Sequence, residues 1–389
     1  MRLAFSVPTY LERLERVRAR MRSRELDAIV VTSPESICWL AGYDCTSYSH
    51  LQGLIVLAND SEPHFFTRTT EASIFWDTSW LRSARFYDIE LENPVKVLSR
   101  LLSDLGLNAG RIGVNLQATS KSVSMLPGQW DMLRGDLPEV AWIDATDLVL
   151  EERLIKSPAE LGFQWQAAQM ADFALNTAIA AIRPGMSEIE LAGIAAKALA
   201  DVGSEYVAVP PMVVSGSRSA LVHGMATRQT IGLGDTICIE LGACVNRYHA
   251  IVMRTIVLGR PSPRMVEVAA CLKEGLEAAI ASVKPGVPVG VPDEVCNARL
   301  DRLDLRRRRD HRMGYSLGLA YPSGWMEPPM LIKGDSHTFA PGMVFSLEPN
   351  ISLQDEGFGL KLGDTVMCTE DGAMSLTRIP RDLIVIDNF

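Results

Sequence analysis

One stretch of this 389-residue chain, from His223 to Gly259, concentrates side chains that can do acid–base chemistry. Residues 236–241 alternate with the two-residue period of a strand, which places Glu240 on the face opposite the isoleucines. The strand predicted next carries His249 and Arg254. A carboxylate within such an apolar strand needs a partner or a function, because burying an unpaired charge is costly. The stretch therefore predicts a hairpin that bears catalytic or binding side chains.

The elements around this hairpin predict a chain of two domains. Residues 1–155 alternate strand-like and helix-like segments, which indicates an N-terminal α/β domain. Ser157, Pro158 and Glu160 have the spacing of a helix N-cap, first-turn proline and capping box. This helix start marks the boundary of a second domain over residues 156–389.

The second domain contains two similar segments about a hundred residues apart. AIAAIRPGM at 178–186 and AIASVKPGV at 279–287 each predict a helix end with a proline-glycine stop. We interpret them as equivalent parts of a pseudo-symmetric α/β (α+β) domain, with the site where its halves meet. Two similar helix ends arising by chance are the alternative.

Composition limits the possible partners and the compartment. The formal net charge of −9 argues against nucleic-acid binding, and the basic run at 306–309 is interpreted as a solvated face. The seven cysteines are scattered without a CxxC pair, which is typical of a reducing compartment. No stretch resembles a signal peptide or a membrane span, so we expect a cytoplasmic protein.

Three later segments complete a recognisable order of motifs. They are RMGYSLGLAYP at 312–322, PGMVFSLEPN at 341–350 and GLKLGDTVMCTEDG at 359–372. Together with the preceding HG, IELGA and RT, they resemble the "pita-bread" family of methionine aminopeptidase, aminopeptidase P, prolidase and creatinase. The N-terminal domain and the IKSP linker resemble the two-domain creatinase, prolidase and aminopeptidase P branch. The resemblance implies a creatinase-like α/β domain followed by a pita-bread catalytic domain.

The family's peptidases bind two metal ions through five side chains, and this chain departs from that set. The resemblance places the five positions at Glu240, Ile251, Tyr315, Glu348 and Gly363 or a neighbour of it. Only the two glutamates can ligate, whereas hard divalent cations want several oxygen or imidazole donors. We therefore expect no metal and no other cofactor. A divalent metal such as manganese or cobalt, held by substitute ligands, is the alternative.

Local sequence is similar to the metal-independent branch that contains creatinase and ectoine hydrolase. The similarity lies in RMGYSLGLAYPSGW, NRYHA and the GYDCTSYSHLQ stretch. It implies hydrolysis of a C–N bond at an amidine-like or guanidine-like carbon of a small zwitterion, with ectoine hydrolase as the nearest activity. An Xaa-Pro metallopeptidase and a non-catalytic pita-bread binding protein are the alternatives.

His223, Glu240 and Glu348 are the expected catalytic residues. His223 matches the position of creatinase's catalytic histidine, and a group that titrates near neutral pH can deprotonate water and protonate a leaving nitrogen. The two glutamates can clamp a planar cation. In a second route Glu240 attacks the substrate carbon and His223 activates water afterwards. The sequence leaves both routes open.

Further side chains are candidates for binding the substrate, each with packing as its alternative role. They are Tyr315, Tyr321, His249, Arg254, Tyr48 and Trp325. The arginine that takes the substrate carboxylate stays open between Arg254 and Arg68, Arg82 or Arg85. The last three would come from the N-terminal domain of a partner subunit, since the family implies a homodimer with that domain near the active site.

Overall fold

The computed structural model describes residues 2–59, 62–115 and 125–387. The chain divides into two compact units, Met1–Arg153 and Leu154–Phe389, beside the boundary predicted at residue 155. In the described part, no helix is both long and apolar enough to cross a membrane.

The first unit is a six-stranded mixed sheet with helices, in agreement with the predicted α/β domain. Its elements are α1 (Val7–Ser23), β1 (Ala28–Val31), α2 (Pro34–Ala41), β2 (Gly53–Leu57), β3 (His64–Arg68), α3 (Ala72–Thr78), β4 (Ala84–Tyr87), α4 (Pro94–Asp104), β5 (Ala109–Val114), α5 (Pro127–Asp136), β6 (Glu139–Asp144) and α6 (Thr146–Leu154). The strand order is β4-β3-β2-β1-β5-β6. Pairing is parallel except on both sides of β2. All four residues of β1 are buried, as expected for a central strand.

The second unit contains four helices and three sheets among its described residues. Its elements are α7 (Pro158–Ala180), α8 (Glu188–Asp201), β7 (Met212–Ser215), β8 (Thr236–Val245), β9 (Tyr248–Leu258), α9 (Pro263–Ser282), α10 (Val291–Leu300), β10 (Gly314–Ser316), β11 (Glu327–Met330), β12 (Val344–Leu347), β13 (Asn350–Leu353), β14 (Phe358–Lys361), β15 (Asp364–Thr369), β16 (Gly372–Ser375) and β17 (Ile384–Ile386). The strand orders are β17-β9-β8-β7, β11-β10-β12-β15-β16 and β13-β14.

The two similar segments occupy equivalent places in this unit. Gly185, after α7, donates its N–H to the carbonyl of Ile231 at 2.8 Å, and Gly286, after α9, donates to that of Phe339 at 2.8 Å. Both glycines have positive φ, of 84° and 80°, which disfavours other residues there. Two buried apolar clusters fill the two halves, one between α7, α8 and β7–β9 and one between α9, α10 and the β12 sheet. The predicted pseudo-symmetry is confirmed.

The helix starts that mark this unit are capped as the sequence predicts. Glu160 accepts the N–H of Ser157 at 2.7 Å, and Ser157 accepts the N–H of Glu160 at 3.4 Å. Ser187 likewise accepts the N–H of Glu190 at 3.1 Å before α8. These contacts satisfy N–H groups that a helix leaves unpaired at its first turn.

The β8–β9 hairpin carries the candidate site. Its turn lies at Asn246 and Arg247, both with positive φ (48° and 67°), as a tight two-residue hairpin turn requires. Glu240 pairs with Met253 across the ladder, and Gly242 pairs with Ile251. Because directly opposed residues share a face, Glu240, Met253 and Ile251 project from the same side of the hairpin.

Candidate active site

Glu240 forms a buried ion pair with a lysine. Its Oε2 lies 3.1 Å from Nζ of Lys361, the last residue of β14, and the two side chains are only 9% and 4% exposed. Lys361 also donates to the carbonyl oxygen of Val222, the residue before His223. The lysine therefore joins the carboxylate on β8 to the loop that carries the candidate base.

Glu348 follows β12 directly and has three polar neighbours. The hydroxyl of Ser346 donates to its Oε2 at 2.7 Å, and the hydroxyl of Tyr315 is also hydrogen-bonded to its carboxyl group. Nδ1 of His311 lies 3.6 Å from Oε1. Burial, and then the charge of Glu240, raise the pKa of Glu348 well above its usual range. Its neutral form, which can donate a proton, is therefore favoured.

His223 lies in an exposed turn beside the half-buried His311. The two ring centroids are 5.4 Å apart and the rings meet edge to face. Burial, and then the charges of Arg312 and His223, lower the pKa of His311 to about 4, so its imidazole is neutral near pH 7. The glycine that follows His223 is required by packing, since a Cβ at Gly224 would lie 2.6 Å from a methyl group of Val214. His311 thus connects an accessible histidine to the buried carboxyl groups.

Tyr315 is buried within this cluster and is supported by Trp325. The indole Nε1 of Trp325 donates to the Tyr315 hydroxyl at 2.9 Å. Burial, with the charges of Glu348 and Glu240, raises the pKa of Tyr315. The tyrosine therefore stays protonated and can donate to Glu348. The structure brings Tyr315 and Trp325 to the candidate site, Trp325 through its contact with Tyr315.

His249 belongs to the fold, which corrects its prediction as a substrate-binding residue. The side chain is fully buried and both ring nitrogens are bonded to the backbone. Nε2 accepts the N–H of Ala208 at 3.0 Å, and Nδ1 lies 2.9 Å from the carbonyl of Arg247. This arrangement requires the neutral ring with its proton on Nδ1. Burial lowers the pKa of His249 to about 3.

Arg254 is likewise a structural residue, and its prediction as a substrate-binding residue is corrected. The guanidinium group is fully buried and forms an ion pair with Asp364 at 2.8 Å. Its remaining hydrogen bonds go to four backbone carbonyls, those of Met253, Gly363, Ile379 and Pro380. No donor is left over for a substrate carboxylate.

Tyr321 and Tyr48 are the two remaining predicted binding residues. Tyr321 is buried, with its ring centroid 5.5 Å from the guanidinium carbon of Arg247. Tyr48 is half-buried and belongs to the first unit. Their roles in substrate binding stay predictions.

The residues at the family's five ligand positions do not fit a pair of metal ions. Glu240 and Glu348 are the only acids among them, and no group of three His, Cys, Asp or Glu side chains suited to a metal occurs in the described ranges. At Gly363 a Cβ would lie 3.0 Å from Sδ of Met253, so Met253 already fills the space that a side chain there would need. The ammonium group of Lys361 supplies positive charge beside Glu240 instead.

Sequence reasoning missed Lys361, His311, Arg312 and Ser346. The signal for Lys361 was present, because a lysine within the apolar strand FGLKLG poses the same problem of a buried charge as Glu240. His311 and Arg312 follow the run of four arginines at 306–309, which was read as one solvated face. In the structure Arg308 and Arg309 of that run pair with Asp355 and Asp293.

Comparison with known proteins agrees with this architecture. The chain matches the metallopeptidase family M24 over residues 165–370 and the creatinase/prolidase N-terminal domain over residues 13–155. It is 29% identical to the ectoine hydrolase of Halomonas elongata, over 98% of each chain. It is 27% identical to the Xaa-Pro dipeptidase of Pyrococcus furiosus, over 96% of this chain and 99% of that one.

A solved structure shows the same arrangement of elements. The dipeptidase PepE of Mycobacterium ulcerans superposes with a TM-score of 0.87 at 25% identity, over 99% of this chain and all of that one. These curated relatives are hydrolases, although they differ in substrate. With both domains matched, the chain belongs to the M24 metallopeptidase family and carries the creatinase/prolidase N-terminal domain.

Proposed function

We propose that this protein is a metal-independent hydrolase that cleaves a C–N bond of a small zwitterion with an amidine or guanidine group, similar to ectoine hydrolase. The observation that carries the proposal is the ion pair between Glu240 and Lys361 at 3.1 Å. A carboxylate that serves as a metal ligand in the family's peptidases is here neutralised by a side chain of the protein. The ectoine hydrolase relative supports the same class of substrate.

The charges of the site suit a cationic group. Glu240 uses Oε2 for Lys361, and Oε1 has no hydrogen-bond partner among the described residues, so it is available to an amidinium N–H. Glu348 provides a second carboxyl group, hydrogen-bonded to Ser346 and Tyr315. The negative charge of Glu240 and the carboxyl oxygens of both glutamates favour a planar cation that donates N–H bonds.

The histidines supply a path for protons. In this proposal the exposed His223 takes a proton from water as the water oxygen bonds to the substrate carbon. The C–N bond then breaks, and the leaving nitrogen receives a proton from His223 or from Glu348. In the second route Glu240 bonds to the carbon, the C–N bond breaks and the leaving nitrogen takes a proton from His223 or Glu348; His223 then takes a proton from water, whose oxygen bonds to the carbon as the bond to Glu240 breaks. We propose a homodimer as the working unit, with the partner's N-terminal domain near the site.

Activity assays on the purified chain test this function. Ectoine, creatine and an Xaa-Pro dipeptide are offered to the unaltered protein and to the His223→Ala and Glu240→Gln variants. We expect hydrolysis of a non-peptide zwitterion and a loss of about 10²- to 10⁴-fold in kcat for His223→Ala. His337→Ala, which removes a histidine bonded to Asp335, is the matched control. Full activity in both site variants would refute the assigned roles.

An Xaa-Pro dipeptidase is the second candidate, because one curated relative and the PepE structure carry dipeptidase names. This function would be favoured if the protein cleaves the dipeptide, loses that activity with a chelator and regains it with manganese or cobalt. A protein inert toward all three compounds would instead favour a non-catalytic binding role.

A further inference from the structure

We infer that Arg312 binds the carboxylate of the substrate and thereby selects zwitterions over simple amidines. This inference rests on the proposed function, since it assumes that a small molecule with a carboxylate enters the site. It answers the question of which arginine serves that group, a question that the sequence leaves open.

Arg312 lies beside the buried cluster and forms no ion pair within the described residues, although its charge acts to lower the pKa of Glu348. Its guanidinium carbon is 5.8 Å from the ring centroid of Tyr315, the residue hydrogen-bonded to Glu348. Its one side-chain hydrogen bond within the described residues goes from Nη2 to Sδ of Met326 at 2.9 Å. Its Nε is buried and has no hydrogen-bond partner in the described part of the chain. Sulfur is a weak acceptor, so the guanidinium group lacks the strong acceptors that a half-buried arginine normally has.

Other basic side chains near the site are already satisfied. Lys361 is bonded to Glu240 and to a backbone carbonyl. Arg254 is saturated by Asp364 and backbone carbonyls. Among the three, Arg312 alone has no carboxylate within ion-pairing distance in the described structure. It is therefore the one whose charge a substrate can complement.

Two of the three candidates from the first unit, Arg68 and Arg85, are less available. Arg68 pairs with Glu71 at 2.7 Å, and Arg85 pairs with Glu92 at 3.1 Å. An arginine already paired with a glutamate gains less from a substrate carboxylate, because binding would have to displace that glutamate.

Arg312, beside the Tyr315 ring, and the Glu240 carboxylate give the site groups of opposite charge. The Glu240 carboxylate attracts the cationic end of a zwitterion and repels its carboxylate, and Glu348 adds a carboxyl oxygen that can accept an amidinium N–H. Arg312 offers the planar fork of donors that a carboxylate accepts in bidentate fashion. A molecule with both groups is thus held in one orientation, with its amidine carbon toward the carboxyl groups. A simple amidine without a carboxylate gains only half of these contacts.

A coupling experiment tests the contact between arginine and carboxylate. Ectoine and its carboxamide are compared as ligands of the unaltered protein, Arg312→Met and Arg312→Lys, by calorimetric binding and by hydrolysis rate. We expect Arg312→Met to weaken ectoine binding about 10- to 100-fold, with KM raised more than kcat is lowered. The unaltered protein should lose a similar factor for the carboxamide. Arg312→Met should bind the carboxamide almost as well as it binds ectoine, because the contact with the carboxylate is already absent. Arg312→Lys should recover part of the affinity for ectoine.

The outcomes separate this inference from the proposed function. Binding of ectoine without hydrolysis refutes the proposed activity, while the affinity ratios still test Arg312. Equal losses for ectoine and carboxamide in Arg312→Met, or no loss for either, overturn the inference even in an active enzyme. Failure of the unaltered protein to bind ectoine, creatine or a dipeptide overturns both. Thermal unfolding of each variant shows whether a loss reflects misfolding, and Arg312→Lys provides the second test if Arg312→Met does not fold.

Discussion

Two groups of polar side chains lie around the β8–β9 hairpin, and they differ in how completely their atoms are bonded. The closed group consists of His249, Arg254 and Asp364, whose side chains are fully buried and bonded to backbone or to one another. The open group consists of His223, Glu240, His311, Glu348 and Lys361. It joins an exposed imidazole to buried carboxyl groups, and it keeps one oxygen of Glu240 without a partner among the described residues.

The difference shows that residue type alone does not distinguish a site from a scaffold. Both groups contain a histidine and a buried ion pair. Arg254 is surrounded by acceptors, so its charge serves folding, whereas Glu240 retains acceptor capacity that a substrate can use. Variants of the closed group should therefore affect stability first, and variants of the open group should affect activity first.

Arg254→Leu should give the largest effect on folding. Removing this guanidinium leaves Asp364 buried with Arg381 as its one ionic partner among the described residues, and breaking a buried pair costs about 3–5 kcal/mol. Urea unfolding followed by circular dichroism measures the free energy of unfolding. Arg378→Leu, an exposed arginine 4.9 Å from the Trp165 ring, is the control. If the free energy of unfolding falls no more in Arg254→Leu than in the control, the closed group does not stabilise the fold.

Lys361→Met should reduce activity more than stability. The variant leaves Glu240 without its cation and frees Val222 from the lysine, so we expect kcat/KM to fall about 10- to 100-fold. The unfolding free energy should fall by less than in Arg254→Leu, because Glu240 is 7% exposed whereas Asp364 is fully buried. Lys361→Arg should restore part of the rate. Lys197→Met, on the exposed face of α8, is the matched control. If kcat/KM is unchanged in Lys361→Met, the ion pair has no role in the mechanism.

His249 should contribute to the pH dependence of stability. Its pKa is lowered to about 3 in the folded protein, whereas the unfolded chain takes up the proton near pH 6.5. The stability that the neutral ring contributes is present above pH 6.5 and is lost as the pH falls toward 3, by about 1.4 kcal/mol per pH unit. The free energy of unfolding should be measured between pH 7 and 4 in both proteins. Its slope against pH should be smaller in His249→Gln, by the amount that corresponds to the uptake of one proton. An unchanged slope would contradict a neutral buried ring.

Much of this architecture could be predicted from local patterns. The capping box at Ser157 and Glu160, the Pro-Gly helix ends and the alternation around Glu240 each depend on residues near one another in sequence. The roles of His249 and Arg254 could not be predicted in that way. Their partners come from Ala208 and from residues 363–380, and only the fold brings these together. The same is true of the contact between Glu240 and Lys361, which are 121 positions apart.

The rate of hydrolysis after metal removal tests the central claim most directly. The protein is dialysed against a chelator, its residual metal content is measured, and hydrolysis of ectoine and of an Xaa-Pro dipeptide is assayed with and without added manganese or cobalt. Since Lys361 already neutralises Glu240, we predict an unchanged rate on ectoine and no stimulation by either metal. Activity that disappears on chelation and returns with manganese or cobalt would contradict a metal-independent site.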